Sequence, residues 1–419
     1  MTWRAFVLCF GGLSLSAFGC QGERRSHSEH MADAHSHSAD MGQRDALASE
    51  PKALFRALGT FDIRNDGKTD VIRVERSEAA ETLSIRVTAH ADEALCFQLE
   101  SVIGDDDDVW VEAGGPNDYG PYCTRCTHRV WSSRRYGLFV FPNHGRPLPP
   151  GTRYQFQVAR RDCDSQLPIE GPEANGSVTI EVAETATMTA ERPRLPVAFV
   201  MVEGSRLFGG QPETDELLAD AISSLRDIYE QAGITIDVVG FSQMPRERTE
   251  MLRFGPGQYA ELDDLLTTAR ANLTVDVGHQ DPFLVALTPC FARVDILGQS
   301  VRPEGHALRI PGGLTPPGFA DGILVKDGHC GPDPGTPYWL SGEQFGRVIA
   351  HELGHALGLY HVQERDGQRD HLDDTALPNY MHHTPLSADA LGWSDAQIHV
   401  MHHHPKLGVP VDGHHGDAP

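Results

Sequence analysis

The sequence predicts two folded regions of different class, an all-β sandwich followed by an α+β domain with a mixed, twisted sheet. Three observations in the 419 residues support this division. Apolar and polar residues alternate between residues 53 and 185, which is typical of half-buried strands. A proline-containing linker occupies 186–196, and strand-like and helix-like segments then alternate up to residue 405. Among them is one strongly capped helix that begins at Ser341.

Residues 1–19 have the pattern of an export signal rather than of a folded element. Arg4 supplies a positive charge ahead of an apolar run, 5–18, that is too short to span a bilayer. The small residues before Cys20 resemble the cleavage site of bacterial lipoproteins, in which that cysteine carries a lipid anchor. We therefore expect an exported chain held at the cell envelope, on the outer membrane or the surface, with simple secretion as the alternative.

Two polar segments near the chain ends are rich in histidine. Residues 20–52 predict a disordered tether. A tail is predicted from His402 onward, with 406–419 beyond the last domain. Such tracts are usually solvated, but they also bind transition metals weakly, so a role in gathering zinc stays open.

The first folded region is predicted as an antiparallel β-sandwich of about seven or eight strands. Apolar residues alternate through 83–87, 154–158 and 178–182, and turn-forming sequences such as 65–67 separate these runs. The acidic run at 105–108 could hold calcium, although such runs are more often solvated turns. The region is either an accessory domain or a prosegment that is removed on activation.

Six cysteines follow Cys20, and export favours disulfides over free thiols. Four of them fall in the predicted sandwich, and Cys290 and Cys330 fall in the second region. The pairing Cys290–Cys330 is the one predicted specifically, because both residues flank predicted strands of one domain. Cys123 and Cys126 could instead form half of a metal site, but the chain has no second pair at matching spacing.

The second region, predicted over 197–405, begins with a buried strand at 197–202 and a helix capped by Thr214. Gly233 should end this helix, and a second strand should follow at 234–239. The remaining predicted elements are strands at 283–287 and 323–325, the helix from Ser341, and a last helix capped by Ser394.

A capping signal and a helical spacing of apolar residues both predict the helix from Ser341. Ser341 and Gln344 form a capping box. A stripe of apolar residues follows at helical spacing: Phe345, Val348, Ile349, Leu353 and Ala356. Beside that stripe, His351 and His355 project from one face and can bind one metal ion together.

The residues from His351 to His361 form the candidate site. A straight helix could not bring His361 to the same metal ion, but Gly358 tolerates the left-handed conformation that ends a helix and turns the chain back. Glu352 stands beside the first ligand, placed to take a proton from a metal-bound water. Three imidazoles and a carboxylate in this pattern predict a catalytic zinc site.

The segment 351–361 resembles the extended zinc signature of the metzincin metallopeptidases. That clan also has a methionine-containing turn below the metal, and residues 379–381 resemble it. The resemblance implies a metzincin-like catalytic domain in which Met381 forms an apolar floor beneath the zinc; ordinary core packing is the alternative. A short match at 373–375 is similar to the pappalysin-like branch of the clan.

Two positions depart from the families of this clan. Val362, directly after the third histidine, matches none of the acidic, serine or proline residues that distinguish several families. Where some families have a tyrosine, two residues after the methionine, this chain has His383. His383 could assist a developing oxyanion or could be an ordinary surface histidine. Residues 330–333 superficially resemble an inhibitory cysteine switch, but their place inside the domain favours a turn.

These features predict a zinc endopeptidase in which Glu352 acts as general base on a metal-activated water and a peptide or protein substrate lies extended along a sheet edge. The net charge of −24 disfavours nucleic acid and anionic membranes as partners, so membrane contact is expected only through a lipid anchor. Two alternatives are a zinc-storing or zinc-sensing surface lipoprotein with a degenerate peptidase fold, and an adhesin-like sandwich protein with an incidental helix.

Overall fold

The computed structural model describes most of the chain from residue 54 to residue 410. The described residues are 54–90, 96–107, 109–112, 129–133, 136–141, 148, 151, 153–162, 167–187, 192–245, 252–254, 260–273, 281–294, 300–301, 305–315, 321–327, 340–364, 367, 369–370, 372–384 and 391–410. Residues 1–53 lie outside this set, and they include the predicted export segment, Cys20 and the predicted tether. Within it, no helix is long and apolar enough to cross a membrane.

In the described residues, nine strands form the first folded region. They are β1 Arg56–Ile63, β2 Ile72–Glu75, β3 Thr82–Ala89, β4 Cys96–Gly104, β5 Val109–Glu112, β6 Arg129–Ser133, β7 Tyr136–Phe141, β8 Arg153–Arg161 and β9 Gly176–Ala186. All their pairings are antiparallel. One sheet has the order β1-β9-β3-β7-β6 and the other the order β2-β8-β4-β5.

Both sheets contribute to one apolar core. Alternate residues of β3, including Leu83, Ile85 and Val87, pack together with Leu99 and Phe156 of the other sheet. The alternation seen in the sequence therefore does place the apolar residues inside, between two antiparallel sheets. The role of the region, accessory domain or prosegment, stays a prediction.

In the acidic run that could hold calcium, the carboxylate of Asp105 pairs with an arginine side chain. Asp105 accepts hydrogen bonds from the backbone N–H of Arg153 at 3.2 Å and from its guanidinium at 3.3 Å. Asp108 lies outside the described residues. Calcium binding at this run stays a prediction.

The second region combines strands and helices. Its elements are β10 Arg194–Val202, α1 Glu216–Glu230, β11 Thr235–Met244, β12 Leu252–Phe254, α2 Ala260–Asn272, β13 Phe283–Thr288, β14 Phe291–Val294, β15 Ser300–Val301, β16 Gly305–Ala307, β17 Ile323–Lys326, α3 Gly342–Ala356, α4 Asp395–His402 and β18 Val409–Pro410. A five-stranded sheet has the order β11-β10-β13-β17-β16, and β12, β14 and β15 form a small second sheet. In the larger sheet, four neighbouring strands are parallel and the edge strand β16 is antiparallel to β17.

Helices cover both faces of the larger sheet. Val197, Phe199 and Met201 of β10 face a core shared with α1, α3 and α4, whereas Ala198 and Val200 face α2. The predicted stripe of α3 is fully buried in the first of these cores. The fold is therefore α+β with a mixed sheet, and α3 lies at the centre of its larger core.

Helices α1 and α3 approach closely at Gly346. A Cβ atom added there would lie 2.5 Å from the carbonyl oxygen of Ala221, so only glycine allows this contact. The hydroxyl of Tyr229 on α1 also donates to the carbonyl of Ala350 at 3.1 Å. These contacts fix the position of α3 against the rest of the core.

Several predicted boundaries need correction, and the cap of α1 is the clearest. The N-cap is Asp215 and not Thr214, because the Asp215 carboxylate accepts the N–H of Leu218 at 2.9 Å. The same carboxylate accepts two hydrogen bonds from Arg206, at 2.6 and 2.9 Å. This hydrogen bonding lowers the pKa of Asp215, so a charged acceptor stabilises the helix start.

The segment between the second and third predicted strands contains elements that the sequence did not indicate. Strand β11 extends to Met244, five residues beyond the predicted end, and β12 and α2 follow. Gly233 does lie between α1 and β11, with a positive φ of 71°. Helix α2 buries only a short apolar face, which includes Leu265, Leu266 and Ala269.

Residues 402–410 are folded, contrary to the predicted solvated tail. His402 Nε2 contacts the carbonyl of Ala232 at 2.7 Å, and His404 is completely buried. Strand β18 pairs with the end of β9 and so extends the sheet of β1, β9, β3, β7 and β6. The composition was misleading because these histidines form hydrogen bonds with backbone carbonyls. Residues 411–419 lie outside the described part of the chain.

Candidate metal centre

The helix that carries the candidate site begins at the predicted capping box. The Ser341 hydroxyl accepts the N–H of Gln344 at 3.2 Å, and the Gln344 side chain accepts the N–H of Ser341 at 3.1 Å. The helix then runs from Gly342 to Ala356. His351, Glu352 and His355 consequently lie in its last two turns.

The end of α3 is built by Gly358, as predicted. Its φ is 99°, in the left-handed region that glycine tolerates. The N–H of Leu359 donates to the carbonyl of Gly354 at 3.0 Å, which closes the helix end. The carbonyl of Leu359 in turn lies 2.7 Å from Nδ1 of His355. The turn that reverses the chain therefore also orients the second histidine.

The three predicted ligands converge. Nε2 of His361 lies 3.1 Å from Nε2 of His355 and 3.3 Å from Nε2 of His351. Each Nδ1 contacts an oxygen acceptor: the carbonyl of Tyr380 for His351, the carbonyl of Leu359 for His355, and the carboxylate of Glu364 for His361. Because these oxygens only accept, each Nδ1 carries the proton and each Nε2 presents a lone pair.

Three facing lone pairs fit a metal cation. Bare nitrogens cannot form hydrogen bonds with each other, so their approach is unfavourable without a positive charge between them. In a tetrahedral zinc site with nitrogens at 2.0–2.1 Å, ligand atoms lie about 3.3 Å apart. The distances of 3.1 and 3.3 Å agree with that spacing. Among the described residues, His351, His355 and His361 are the one group of histidine, cysteine and acidic side chains that could hold a metal ion.

Burial keeps two of the imidazoles neutral. His351 and His355 are 3% and 7% exposed. The pKa of His351 is lowered to about 3, and that of His355 is lowered well below its usual value. Desolvation is the main cause for both rings, and the nearby His361 is the second. Neutral imidazole is the form that binds a metal, so no proton needs to leave these rings at neutral pH.

Glu352 is held between α3 and the edge strand β16. It is 6% exposed, and its Oε2 accepts the backbone N–H of Ala307 at 2.6 Å. A Cβ atom at Gly305 would lie 2.6 Å from Cγ of Glu352, so a glycine is required where the strand passes the carboxylate. The sheet edge therefore fixes the orientation of the predicted general base.

Met381 lies against the ligand helix. The side chain is fully buried, and its sulfur would be 2.6 Å from a Cβ added to Gly354, which stands between the two helical ligands. The Asn379 side chain accepts the N–H of Met381 at 2.8 Å and shapes the turn. The next residue back, Tyr380, supplies the carbonyl that contacts His351. The turn at 379–381 thus packs beneath α3.

The two residues that depart from known families occupy different places. Val362 is fully buried in the core, and its N–H donates to the carbonyl of Met381 at 2.9 Å. Nδ1 of His383 lies 3.1 Å from the carbonyl of Gln363, and His382 and His383 both contribute to the low pKa of His351. His383 is therefore near the site, and its role at an oxyanion stays a prediction.

Glu364 was missed in the sequence. Its Oε1 lies 2.9 Å from Nδ1 of His361, three residues earlier. An acidic residue within one turn of the third histidine was a possible signal, but the loop conformation that joins the two side chains has no sequence pattern.

The cysteine predictions fall largely outside the described residues. Cys96 and Cys290 are both in the disulfide-bonded form, and Cys290 is buried. Cys330, Cys123 and Cys126 are not described. The pairing Cys290–Cys330 stays a prediction.

The chain matches no family model and no curated protein. Among solved structures, metalloproteinase-II from Bacteroides fragilis is similar, with a TM-score of 0.26 and 12% sequence identity. The match covers 49% of this chain and 61% of that structure. At this level of similarity we infer neither fold nor function from it. The described residues themselves define a mixed α+β protein with three histidines that could bind one metal ion.

Proposed function

We propose that this protein is a zinc-dependent endopeptidase of the metzincin type. One observation carries the proposal: Nε2 of His361, which follows the helix, lies 3.1 and 3.3 Å from Nε2 of His355 and His351 on the helix that bears the buried Glu352. The turn at Met381 beneath the helix, and the mixed sheet with an antiparallel edge, support it further.

The donor set suits zinc, which His351, His355 and His361 would hold. Bound zinc would supply a water of lowered pKa and an electrophile for a peptide carbonyl. Glu352 accepts the proton of that water and returns it to the departing amine. The N–H of Ala307 donates to Oε2 of Glu352 at 2.6 Å, which orients the carboxylate for these two proton transfers.

The substrate is a peptide or protein segment in extended conformation. Strand β16 pairs with β17 at the end of the sheet order, and its Ala307 is in contact with Glu352. A substrate strand added along β16 would pass the general base and be held through its backbone. His383, on the turn beside His351, would assist the oxyanion.

The location proposed for this activity is the outer face of the cell envelope, with a lipid on Cys20. This part rests on residues 1–20 of the sequence alone. Labelled palmitate should be incorporated into the full-length protein in a bacterial host. A Cys20→Ser variant should take up none, and equal labelling of both would contradict the anchor.

Peptide cleavage tests the activity directly. The purified chain lacking residues 1–20 is incubated with a diverse peptide library, with and without a chelator. We expect cleavage that the chelator abolishes. A Glu352→Ala variant should retain zinc and lose activity by about 10²–10⁴-fold, as expected for removal of a general base. Cleavage by this variant at the wild-type rate would remove Glu352 from the mechanism.

A further inference from the structure

We propose that Glu364 is a positioning residue that holds His361 in the orientation needed for metal binding. The inference rests on the proposed function, because it concerns the third ligand of the same site. The three imidazoles differ in the partner of Nδ1. His351 and His355 lie on α3 and contact backbone carbonyls through Nδ1, whereas His361 lies after the helix and contacts a side-chain carboxylate.

His361 needs such a partner more than the other two ligands. Its side chain is 23% exposed, and it stands on the chain that follows the Gly358 turn. Without a fixed acceptor at Nδ1, the ring could rotate or take the other tautomer, in which Nε2 carries the proton and cannot bind metal. A carboxylate at Nδ1 prevents both changes and makes Nε2 a stronger donor to the metal.

The backbone around Glu364 is arranged to bring its side chain back to His361. The N–H of Gly367 donates to the carbonyl of Glu364 at 3.0 Å, with a positive φ of 88° at the glycine. The N–H of Asp370 donates to the carbonyl of Val362 at 3.3 Å. The backbone carbonyls of Val362 and Glu364 are therefore both hydrogen-bonded, which restrains the backbone that carries the carboxylate.

An ordinary exposed ion pair is the competing explanation. The Glu364 side chain is 38% exposed, and ion pairs at such positions contribute little to stability. The two explanations differ in one measurable quantity. A surface ion pair would leave zinc affinity unchanged, whereas a partner of a ligand histidine alters metal affinity by about 10–100-fold when it is removed.

Zinc affinity in the metal-free protein, measured by competition with a chromogenic chelator, tests the proposal. Glu364→Ala should weaken zinc binding about 10–100-fold, and Glu364→Gln should fall between this variant and the wild type, since its amide oxygen accepts a hydrogen bond without charge. Glu343→Ala is the matched control, because Glu343 is an exposed glutamate that pairs with Arg347 at the start of α3. The control should bind zinc as the wild type does.

The outcomes separate this inference from the proposed function. If the wild type binds zinc and Glu364→Ala binds it within twofold of the wild type, the role of Glu364 is wrong and the peptidase proposal stands. If the wild type binds no zinc at the three histidines, both are wrong. Cobalt substitution gives a second readout: the absorption of the Co²⁺ protein should change in Glu364→Ala and not in Glu343→Ala.

A different observation supports a second inference. The sandwich and the second region belong to one compact unit, Glu50–Pro419. We infer that the sandwich is a permanent support of the metal-bearing region rather than a removable prosegment. Two contact areas carry the inference, one at Leu314 and one at the C-terminal segment.

At the first area, two sandwich side chains bind one backbone carbonyl. The Tyr136 hydroxyl and the Arg86 guanidinium donate to the carbonyl of Leu314, at 3.2 and 3.3 Å. The Leu314 side chain is buried against Tyr136, Leu138 and Val140 of β7. Two residues earlier, the N–H of Gly312 donates to the carbonyl of Ala356 at 2.7 Å, at the end of the ligand helix.

At the second area, the C-terminal segment completes a sandwich sheet. Strand β18 pairs with Thr185 and Ala186 of β9, and the Thr82 hydroxyl donates to the carbonyl of His403 at 2.9 Å. A Cβ at Gly408 would lie 2.8 Å from Thr185, so the two chains touch closely. Removal of the sandwich would expose apolar surface and leave these buried polar groups without partners.

Cleavage between the two regions tests this support. A loop with a specific protease site is inserted at 188–191 of the otherwise complete protein, and the cut product is analysed by size exclusion and zinc titration. We expect the two fragments to elute together with unchanged zinc affinity. A C-terminal fragment that separates, stays folded and cleaves peptides faster would identify the sandwich as a prosegment and overturn the inference.

Discussion

Two groups of three histidines lie in the second region: the candidate site, His351, His355 and His361, and a C-terminal group, His402, His403 and His404. The two groups differ in how their ring nitrogens are used. In the C-terminal group, both nitrogens of His404 are engaged: Nε2 contacts the carbonyl of Gly312 at 2.9 Å, and Nδ1 accepts the N–H of Lys406 at 3.2 Å. In the candidate site, Nδ1 is held by an oxygen, and the Nε2 atoms of His355 and His361 face each other at 3.1 Å.

A candidate ligand histidine differs from a structural one in the use of its two ring nitrogens. A structural histidine has both nitrogens satisfied by the protein, whereas a ligand has one nitrogen fixed and the other directed to a shared point. Two of the histidines that were predicted to lie in a zinc-gathering tail have structural contacts instead. His402 and His404 both contact backbone carbonyls, so they are not available as a metal-gathering tail.

The largest expected effect is on metal content. His355→Ala should reduce bound zinc from one ion per chain to nearly none, because it removes one of three ligands. His404→Ala should keep one zinc and instead lower the free energy of unfolding by about 1–3 kcal/mol, since a buried hydrogen-bonded ring is lost. Elemental analysis after dialysis, together with urea unfolding, measures both. Loss of zinc in His404→Ala would show that the C-terminal histidines also take part in metal binding.

The next effect separates metal binding from catalysis. Gly305→Ala places a Cβ 2.6 Å from Cγ of Glu352, so the carboxylate must shift away from its hydrogen bond with Ala307. We expect kcat to fall by about 10–100-fold with zinc affinity unchanged, since a misplaced general base is less effective. Gly176→Ala is the control, because a Cβ there meets no atom within 4 Å. Equal kcat values for Gly305→Ala and the control would show that the strand does not position Glu352.

A smaller effect concerns the turn beneath the ligand helix. Gly354→Ala would bring a methyl group to 2.6 Å from the sulfur of Met381, and overpacking of this kind typically lowers stability by about 1–3 kcal/mol. Gly392→Ala, where a Cβ has open space, should be neutral. Thermal unfolding of the zinc-loaded variants checks the difference. Equal stability of the two variants would mean that Met381 does not support α3.

The smallest effect is a pH dependence that arises away from both groups of histidines. Burial raises the pKa of Asp327 to about 6 from an ordinary value near 3.8. The folded protein therefore binds more protons than the unfolded chain between these values, and this group's contribution to stability falls as pH rises from about 4 to 6. In Asp327→Asn, the free energy of unfolding should fall less over this pH range. The midpoint of urea unfolding, measured for both proteins across this pH range, tests the prediction. The same pH dependence of the midpoint in both proteins would contradict the raised pKa of Asp327.

The parts of the site that the sequence predicted are those with local signals. The capping box at Ser341, the glycine turn at Gly358 and the spacing of the histidines all act within a few residues. They therefore leave a pattern in the chain, and the structure places them as expected.

Apart from Glu364, the parts that were missed depend on contacts between distant residues. Glu352 is held by Ala307, 45 positions earlier, and the strand that carries Ala307 has three residues, too few to show a period. His404 was assigned to a solvated tail because its buried partner, Gly312, lies 92 positions earlier. Local patterns specified the helix and the candidate ligands, whereas tertiary packing decided how the ring nitrogens of the C-terminal histidines are used.

Anomalous diffraction at the zinc absorption edge, from crystals of the purified chain lacking residues 1–20, locates a bound zinc ion without reference to activity. We predict one strong peak that lies about 2.0–2.1 Å from the Nε2 atoms of His351, His355 and His361. A peak at the C-terminal histidines instead, or no peak among the three imidazoles in crystals grown with zinc, would contradict the account.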